Sequence, residues 1–247
     1  PIRIGSSVAW PSAGILVPWE CYLQYDNTGL VRDHYQAMKK YLDAVCGVHN
    51  LKEGYSYLVS GAGLAEHLAV VPTDSNLCQN AILKHLLDVT AEMAEVVGDT
   101  ETAARYRARA EGIKKEWNEY FIDPVTVKTR THELRLFGMG SAAPDEPFIT
   151  CDTQASYALA IEYDIVNEKY MDKFAENFVE ACRRGRGEGA EYTITTGFYA
   201  TGKLLPALTK IGRVDVAYKM IEQTKYASWL YPVVQGATSI WERWDAY

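Results

Sequence analysis

No stretch of the chain approaches the ~20 consecutive apolar residues that a membrane-spanning helix needs, and no secretory-leader pattern stands at its start, Pro1. Beginning at proline rather than methionine, the chain is expected to be a processed or excised piece. Positive charge is scarce too: 25 Lys and Arg face 32 Asp and Glu, for a net charge of −7. With no basic stripe to displace counterions, nucleic acid is excluded as a partner. The longest basic cluster, Arg183-Arg184-Gly185-Arg186, is followed by Glu188 and Glu191 and reads as a solvated loop. The five cysteines are scattered, odd in number and never in a CxxC pair. They are expected as free thiols of a reducing compartment, hence a cytoplasmic protein, with a periplasmic or secreted one left open. The five histidines form no HExxH motif and no close pair, so neither a metal nor another cofactor is expected. Low-complexity tracts and residue-level repeats are also lacking.

What is present is helical periodicity. Val31, Tyr35, Met38, Leu42 and Val45 step by four and three, as do Ile82, Leu86, Val89, Met93 and Val96, and again Tyr106, Ala110, Ile113, Trp117 and Tyr120. Each set is one buried stripe along a helix. Weaker stripes follow through Tyr157–Ile161, Tyr170–Phe178, Leu204–Ile211 and Val214–Ile221. The breaks Tyr25–Thr28, Val97–Thr100, Tyr163–Asn167 and Ile211–Arg213 carry the Gly, Asp or Asn that stops one helix and caps the next. The pattern predicts four antiparallel helical hairpins. Longer connections over 46–75, 122–151, 183–196 and 225–240 hold most of the Gly and Pro. Alternating tight turns and long loops puts all the long loops at one end, where function is expected. Pro1–Val17 reads as loop, with a first helix starting near Pro18. Short β pieces are expected in the connections, for instance Val125-Thr126-Val127 to Arg130-Thr131.

The last 22 residues, Tyr226–Tyr247, hold three of the six tryptophans. They end in Trp241-Glu242-Arg243-Trp244-Asp245, large rings alternating with full charges. Flat rings beside carboxylates suit a sugar, whose C–H face stacks on an aromatic plane while a carboxylate addresses its hydroxyls or anomeric carbon. If 241–245 begins a helix, Glu242 and Asp245 share a face. A packed terminal element with a surface ion pair is the alternative.

With the hairpins and this tail in place, the chain resembles the catalytic domain of bacterial α-L-rhamnosidases, glycoside hydrolase family 78. The residues that carry the resemblance are Thr195-Thr196-Gly197-Phe198 through Leu204-Leu205-Pro206-Ala207-Leu208, then Ala217-Tyr218, Ser228-Trp229-Leu230-Tyr231, and Gln235-Gly236-Ala237-Thr238-Ser239-Ile240-Trp241-Glu242-Arg243-Trp244-Asp245. Asp152 through Ala160 is similar to the family as well. The resemblance implies an all-α fold, the (α/α)6 six-hairpin barrel, of which 1–247 would form a single domain holding about four of the hairpins. It implies inverting hydrolysis of terminal α-L-rhamnosides, with Glu242 as general base and the general acid outside this chain, since no acid-rich Asp-Glu-Arg segment occurs here.

Two departures bear on specificity. Where the family tends to read Trp-Gly-Asp-Ala, this chain reads Trp10-Pro11-Ser12-Ala13, and where it tends to read Gly-Asp-Trp-Leu, this chain reads Ala65-Glu66-His67-Leu68. Trp10, Glu66, His67, Trp241 and Trp244 are therefore the candidate substrate-binding residues beside Glu242, with a carbohydrate as the partner. Two other readings stand: a helical-barrel glycosidase for a different sugar, and a non-catalytic carbohydrate-binding barrel. Trp117 sits inside its stripe and is assigned to the core. A partial barrel would leave apolar faces uncovered, so the isolated chain is expected either to form a homodimer or to be poorly soluble.

Overall fold

The computed structural model describes residues 8–60, 65–132 and 149–245; the first seven positions of the expected opening loop lie outside it. Four helical hairpins form. Helices α1 (Ala13–Tyr25) and α2 (Thr28–Val45) make the first, α3 (Ser75–Val97) and α4 (Thr100–Phe121) the second. Then come α5 (Gln154–Glu162) with α6 (Glu168–Arg184), α7 (Phe198–Lys210) with α8 (Val214–Ile221), and the short α9 (Leu230–Val234). Strands β1 (Arg130–Thr131) and β2 (Ile149–Thr150) pair antiparallel, Arg130 with Thr150 and Thr131 with Ile149.

The tight turns are set by local chemistry. Asp26 closes α1 in the left-handed region at φ 51°, and the Asn27 side chain accepts the Gly29 N–H to open α2. Gly98 closes α3 at φ 84°, a conformation that costs glycine nothing, and Asp99 caps α4 through the Thr102 N–H. The Asp99 carboxylate also accepts from the Tyr35 hydroxyl and Lys39 Nζ, both at 2.9 Å, which fastens the second hairpin to α2. Those hydrogen bonds, Lys39 first, hold its carboxyl well below the usual range.

Helices α1, α3, α5 and α7 form an inner layer, with α3 against α1 and α5, and α5 against α7. Their partners α2, α4 and α6 cover them from outside, each burying the stripe that its sequence predicts. For α3 the single stripe was too narrow an expectation. Ser75 through Lys84 are all buried, because α3 is walled in by α1, α2, α4 and α5. Its polar members are satisfied inside: Asn80 accepts from the Val59 N–H at 2.8 Å and donates to the Val59 carbonyl at 2.9 Å. Trp117 lies fully buried and donates from its indole to the Leu77 carbonyl at 3.1 Å.

Three local expectations need correction. Helix α1 starts at Ala13, about one turn ahead of Pro18, which sits inside it and has no N–H to give the Gly14 carbonyl. The expected β piece at Arg130–Thr131 forms and pairs with Ile149–Thr150, but Val125–Val127 is not a strand. The latter residues belong to a turn held by the Asp123 carboxylate, which accepts the Val125 and Thr126 N–H groups. The basic cluster is exposed as expected but is not all loop: Arg183 and Arg184 end α6, where they pair with Glu180 and Asp152, and Arg186 beyond it lies over the Tyr226 ring.

Each long connection touches the next. Thr73 and Thr153 share a hydroxyl hydrogen bond at 2.7 Å, Gln154 donates to the Thr193 carbonyl at 2.9 Å, and the Ile194 N–H donates to the Ala227 carbonyl at 2.8 Å. The long loops therefore gather at one end, the end from which the N-termini of α3, α5 and α7 emerge. Helix α1 leaves Val17, Leu23 and Tyr25 exposed.

Candidate active site

A cavity of about 520 Å³ opens at the long-loop end. His67 and Leu68 come to it from the loop after α2, Phe198 and Thr201 from the first turn of α7, Trp229, Pro232 and Val233 from around α9, and Ile240, Trp241, Glu242 and Trp244 from the tail. Its position follows from the fold: the hairpins stop at this end and the loops continue above them.

The rings are held by one another. Trp229 and Trp244 meet edge to face with centroids 6.1 Å apart, and Trp241 meets Tyr231 likewise at 6.4 Å. Across the cavity, His67 and Phe198 lie 5.8 Å apart, and Trp10 stands edge-on to both at 6.4 Å. Residues 241–245 form bends and a turn rather than the opening of a helix, so Trp241, Glu242 and Trp244 all reach the cavity. Arg243, the neighbour of Glu242 in the chain, pairs with Asp245 at 2.8 Å. Among the described residues Glu242 makes no ion pair, and it is the only carboxylate on the cavity wall.

Of the residues singled out in the sequence, the structure thus brings His67, Trp241, Glu242 and Trp244 together. Trp10 is half exposed and braces His67 and Phe198 without lining the cavity. Glu66 is turned away from the cavity. Its Oε2 accepts the Gly197 N–H and its Oε1 the Ala200 N–H, both at 2.6 Å, so both oxygens are committed to the start of α7. Burial pushes the Glu66 carboxyl up to about 7, against the pull of the α7 amide groups. His67 Nδ1 is buried and has no hydrogen-bond partner among the described residues. Phe198 and Trp229 were not singled out as site residues. The signal was there: Phe198 follows a glycine at the end of a long loop, and Trp229 belongs to the same ring-rich tail as Trp241.

A second cavity, about 560 Å³, lies at the tight-turn end between Trp19, the middle of α3 and the turn after α5. Within it Lys84 pairs with Asp88 at 2.7 Å and donates to the Tyr163 carbonyl at 3.0 Å, while Arg107 and Asp164 pair outside it with Glu95 and Lys210. His85 stacks on Tyr163 with centroids 4.2 Å apart, and burial, followed by the nearby Lys203 and Lys84, lowers its pKa to about 4. The long-loop cavity, which gathers Trp241, Glu242 and Trp244 from the tail, is the better candidate.

Two layers of antiparallel helices, with a ring-walled cavity at the loop end and a carboxylate in its wall, define a helical-hairpin glycosidase domain. The chain belongs to the family described as the bacterial alpha-L-rhamnosidase 6 hairpin glycosidase domain, whose model matches residues 3–247. It is similar to an alpha-L-rhamnosidase of Formosa agariphila, 27% identical over 98% of this chain and 24% of the relative. It is equally similar to one of Streptomyces avermitilis, 27% identical over 99% of this chain and 21% of that protein. The crystal structure of a Streptomyces avermitilis alpha-L-rhamnosidase complexed with L-rhamnose superposes with a TM-score of 0.77 at 27% identity, covering 96% of this chain and 20% of that one. The Aspergillus terreus enzyme, at 23% identity and a TM-score of 0.73 over 96% of this chain and 25% of that one, shares the fold. The chain thus spans about a fifth to a quarter of the length of the relatives it matches.

Proposed function

We propose that this domain carries the water-activating half of an inverting α-L-rhamnoside hydrolase site. Glu242 is the general base. It takes a proton from a water as that oxygen bonds to the anomeric carbon, while the bond to the aglycone oxygen breaks on the opposite face. A second carboxyl group, supplied from outside the described residues, gives its proton to the departing oxygen. In such sites the two carboxyl groups stand ~6.5–9.5 Å apart, with the water between the base and the sugar. Trp241 and Trp244 offer planes for the apolar face of the ring, and the His67 imidazole stands on the same cavity wall.

The observation that carries this reading is the single carboxylate among the described residues of the wall, free of any ion pair among them, set among rings, apolar side chains and the hydroxyls of Thr201, Thr238 and Ser239. The similarity to a protein complexed with L-rhamnose supports the choice of sugar. The test is release of nitrophenol from aryl α-L-rhamnosides, with the anomeric form of the first-formed sugar followed by NMR. Loss of the base should cut kcat by ~10²-fold or more in Glu242→Gln. The first-formed sugar should have the opposite configuration to the substrate. An unchanged rate in the variant, or retained configuration, would overturn the reading.

A further inference from the structure

Helix α7 has no local cap. Its N-cap position is Gly197, which has no side chain to give, and the exposed amide groups of its first turn are instead satisfied by Glu66, 131 residues earlier in the chain. Ordinarily a Ser, Thr, Asp or Asn at that position does this work and ties the helix to nothing else. Here the cap comes from the loop that carries His67, and the contact is too close for any other residue at 197. A Cβ there would run into the His67 carbonyl oxygen and lie 2.9 Å from the Ala69 nitrogen. Two backbone bonds complete the seam, the Phe198 N–H to the His67 carbonyl and the Val71 N–H to the Thr195 carbonyl, both 3.0 Å.

The residues next to each end of this seam are the ones that wall the cavity opposite the tail. His67 follows Glu66, Phe198 follows Gly197, and the two rings lie 5.8 Å apart. We infer that Glu66 is a positioning residue for the cleft: its carboxylate fastens the 65–71 loop to the N-terminus of α7 and so fixes the spacing and tilt of His67 against Phe198. It acts through those rings and touches no sugar itself. The role as a contributor to sugar binding rests on the rhamnosidase reading above; the tether does not.

Burial at this seam costs the carboxyl more than the amide groups return, as its raised pKa shows. A residue kept only to cap a helix would sit better as a serine. Reach is what glutamate adds: its longer side chain lets one carboxylate engage the amides of residues 197 and 200 from another loop.

The experiment compares wild type, Glu66→Gln and Glu66→Ala by amide hydrogen exchange without ligand, then by kinetics on an aryl α-L-rhamnoside. Amides of 65–71 and 197–201 should exchange together about tenfold faster in the alanine variant, with α4 unchanged, since local opening follows the bonds that close it. The glutamine variant, which keeps one acceptor, should fall between. The loss in turnover should appear in KM, up about tenfold, with kcat held within about twofold, as expected for lost ground-state and transition-state binding alike. Faster exchange in α7 alone, or a lowered Tm with KM unchanged, would reduce Glu66 to a helix cap and overturn the inference. If the alanine variant does not fold, the glutamine variant decides by the same readings. If wild type turns over no rhamnoside, the reading of Glu242 fails by itself, and the exchange comparison still decides whether Glu66 fastens the two segments.

Discussion

Trp229 and Trp244 cross edge to face, centroids 6.1 Å apart at 87°, and both line the cavity. Fifteen positions apart, one just ahead of α9 and one in the tail, they are joined by little regular structure. The ring contact therefore does part of the holding that a helix or strand would do elsewhere. Replacing either by alanine should free the other. Trp244→Ala and Trp229→Ala should each raise KM for an aryl rhamnoside by roughly tenfold, and the double variant should cost little more than either single, because residues in contact couple rather than add. Fully additive losses would show that the two rings act separately.

Two carboxyl and imidazole groups set opposite slopes in stability against pH. Glu66 has its folded pKa raised to about 7 by burial. The stability that its protonated form contributes is full below the unfolded value near 4.3 and is lost as pH rises through 7. Cys78, which faces it from α3, has its thiol pushed well up by burial and stays neutral throughout this window. His85 has its folded pKa lowered to about 4, so its neutral form contributes stability above about 6.5 that is lost as pH falls from there through 4. Between pH 4.5 and 6.5 the two slopes oppose, each at most about 1.4 kcal/mol per pH unit. Thermal melts across this range should therefore be flat in wild type, fall with rising pH in His85→Phe, and fall with decreasing pH in Glu66→Gln. The same curve in all three proteins would refute both assignments.

The fold was legible in the sequence wherever its cause is local. Asp26-Asn27, Gly98-Asp99, Asp164 and Gly212 sit at turns whose geometry they dictate, and the four hairpins follow from them. Trp241, Glu242 and Trp244 were legible because rings and charge alternate within five residues. What could not be read is set by distant contacts. Nothing near Glu66 announces that its carboxylate will meet Gly197, and Gly197 looks like loop flexibility until the 66–69 backbone is found against it. Likewise α3 carries a clean single stripe, and only its neighbours on all sides explain why Asn76, Gln79 and Asn80 are buried too. The partner of Arg243 is likewise not written in its adjacency to Glu242: the turn at 244–245 gives the guanidinium to Asp245.

The role of Glu242 makes a prediction that no structural role shares. If it activates water, trimming it to alanine removes the base and opens room beside the anomeric carbon. Azide, small, anionic and needing no deprotonation, can then enter where the water stood. It would bond to the anomeric carbon as the aryloxide departs, giving a rhamnosyl azide of inverted configuration; a nitrophenolate leaves without taking a proton, so the second carboxyl is not needed. Glu242→Ala with a nitrophenyl α-L-rhamnoside should therefore be ~10²–10⁴-fold slower than wild type, and azide should recover part of that rate, saturably, while leaving wild type unaffected. The product should be the inverted azide by NMR. A retained azide would place Glu242 as acid and base of a double displacement, since azide would then attack a covalent intermediate from the opposite face. No recovery, with rhamnose binding intact in the variant by calorimetry, would remove Glu242 from the proton transfer altogether. The inverted azide places the carboxylate on the face opposite the leaving group, and the inverted sugar released by wild type then makes it the base that activates water rather than a nucleophile; the cavity wall formed by Trp241, Glu242 and Trp244 allows that placement.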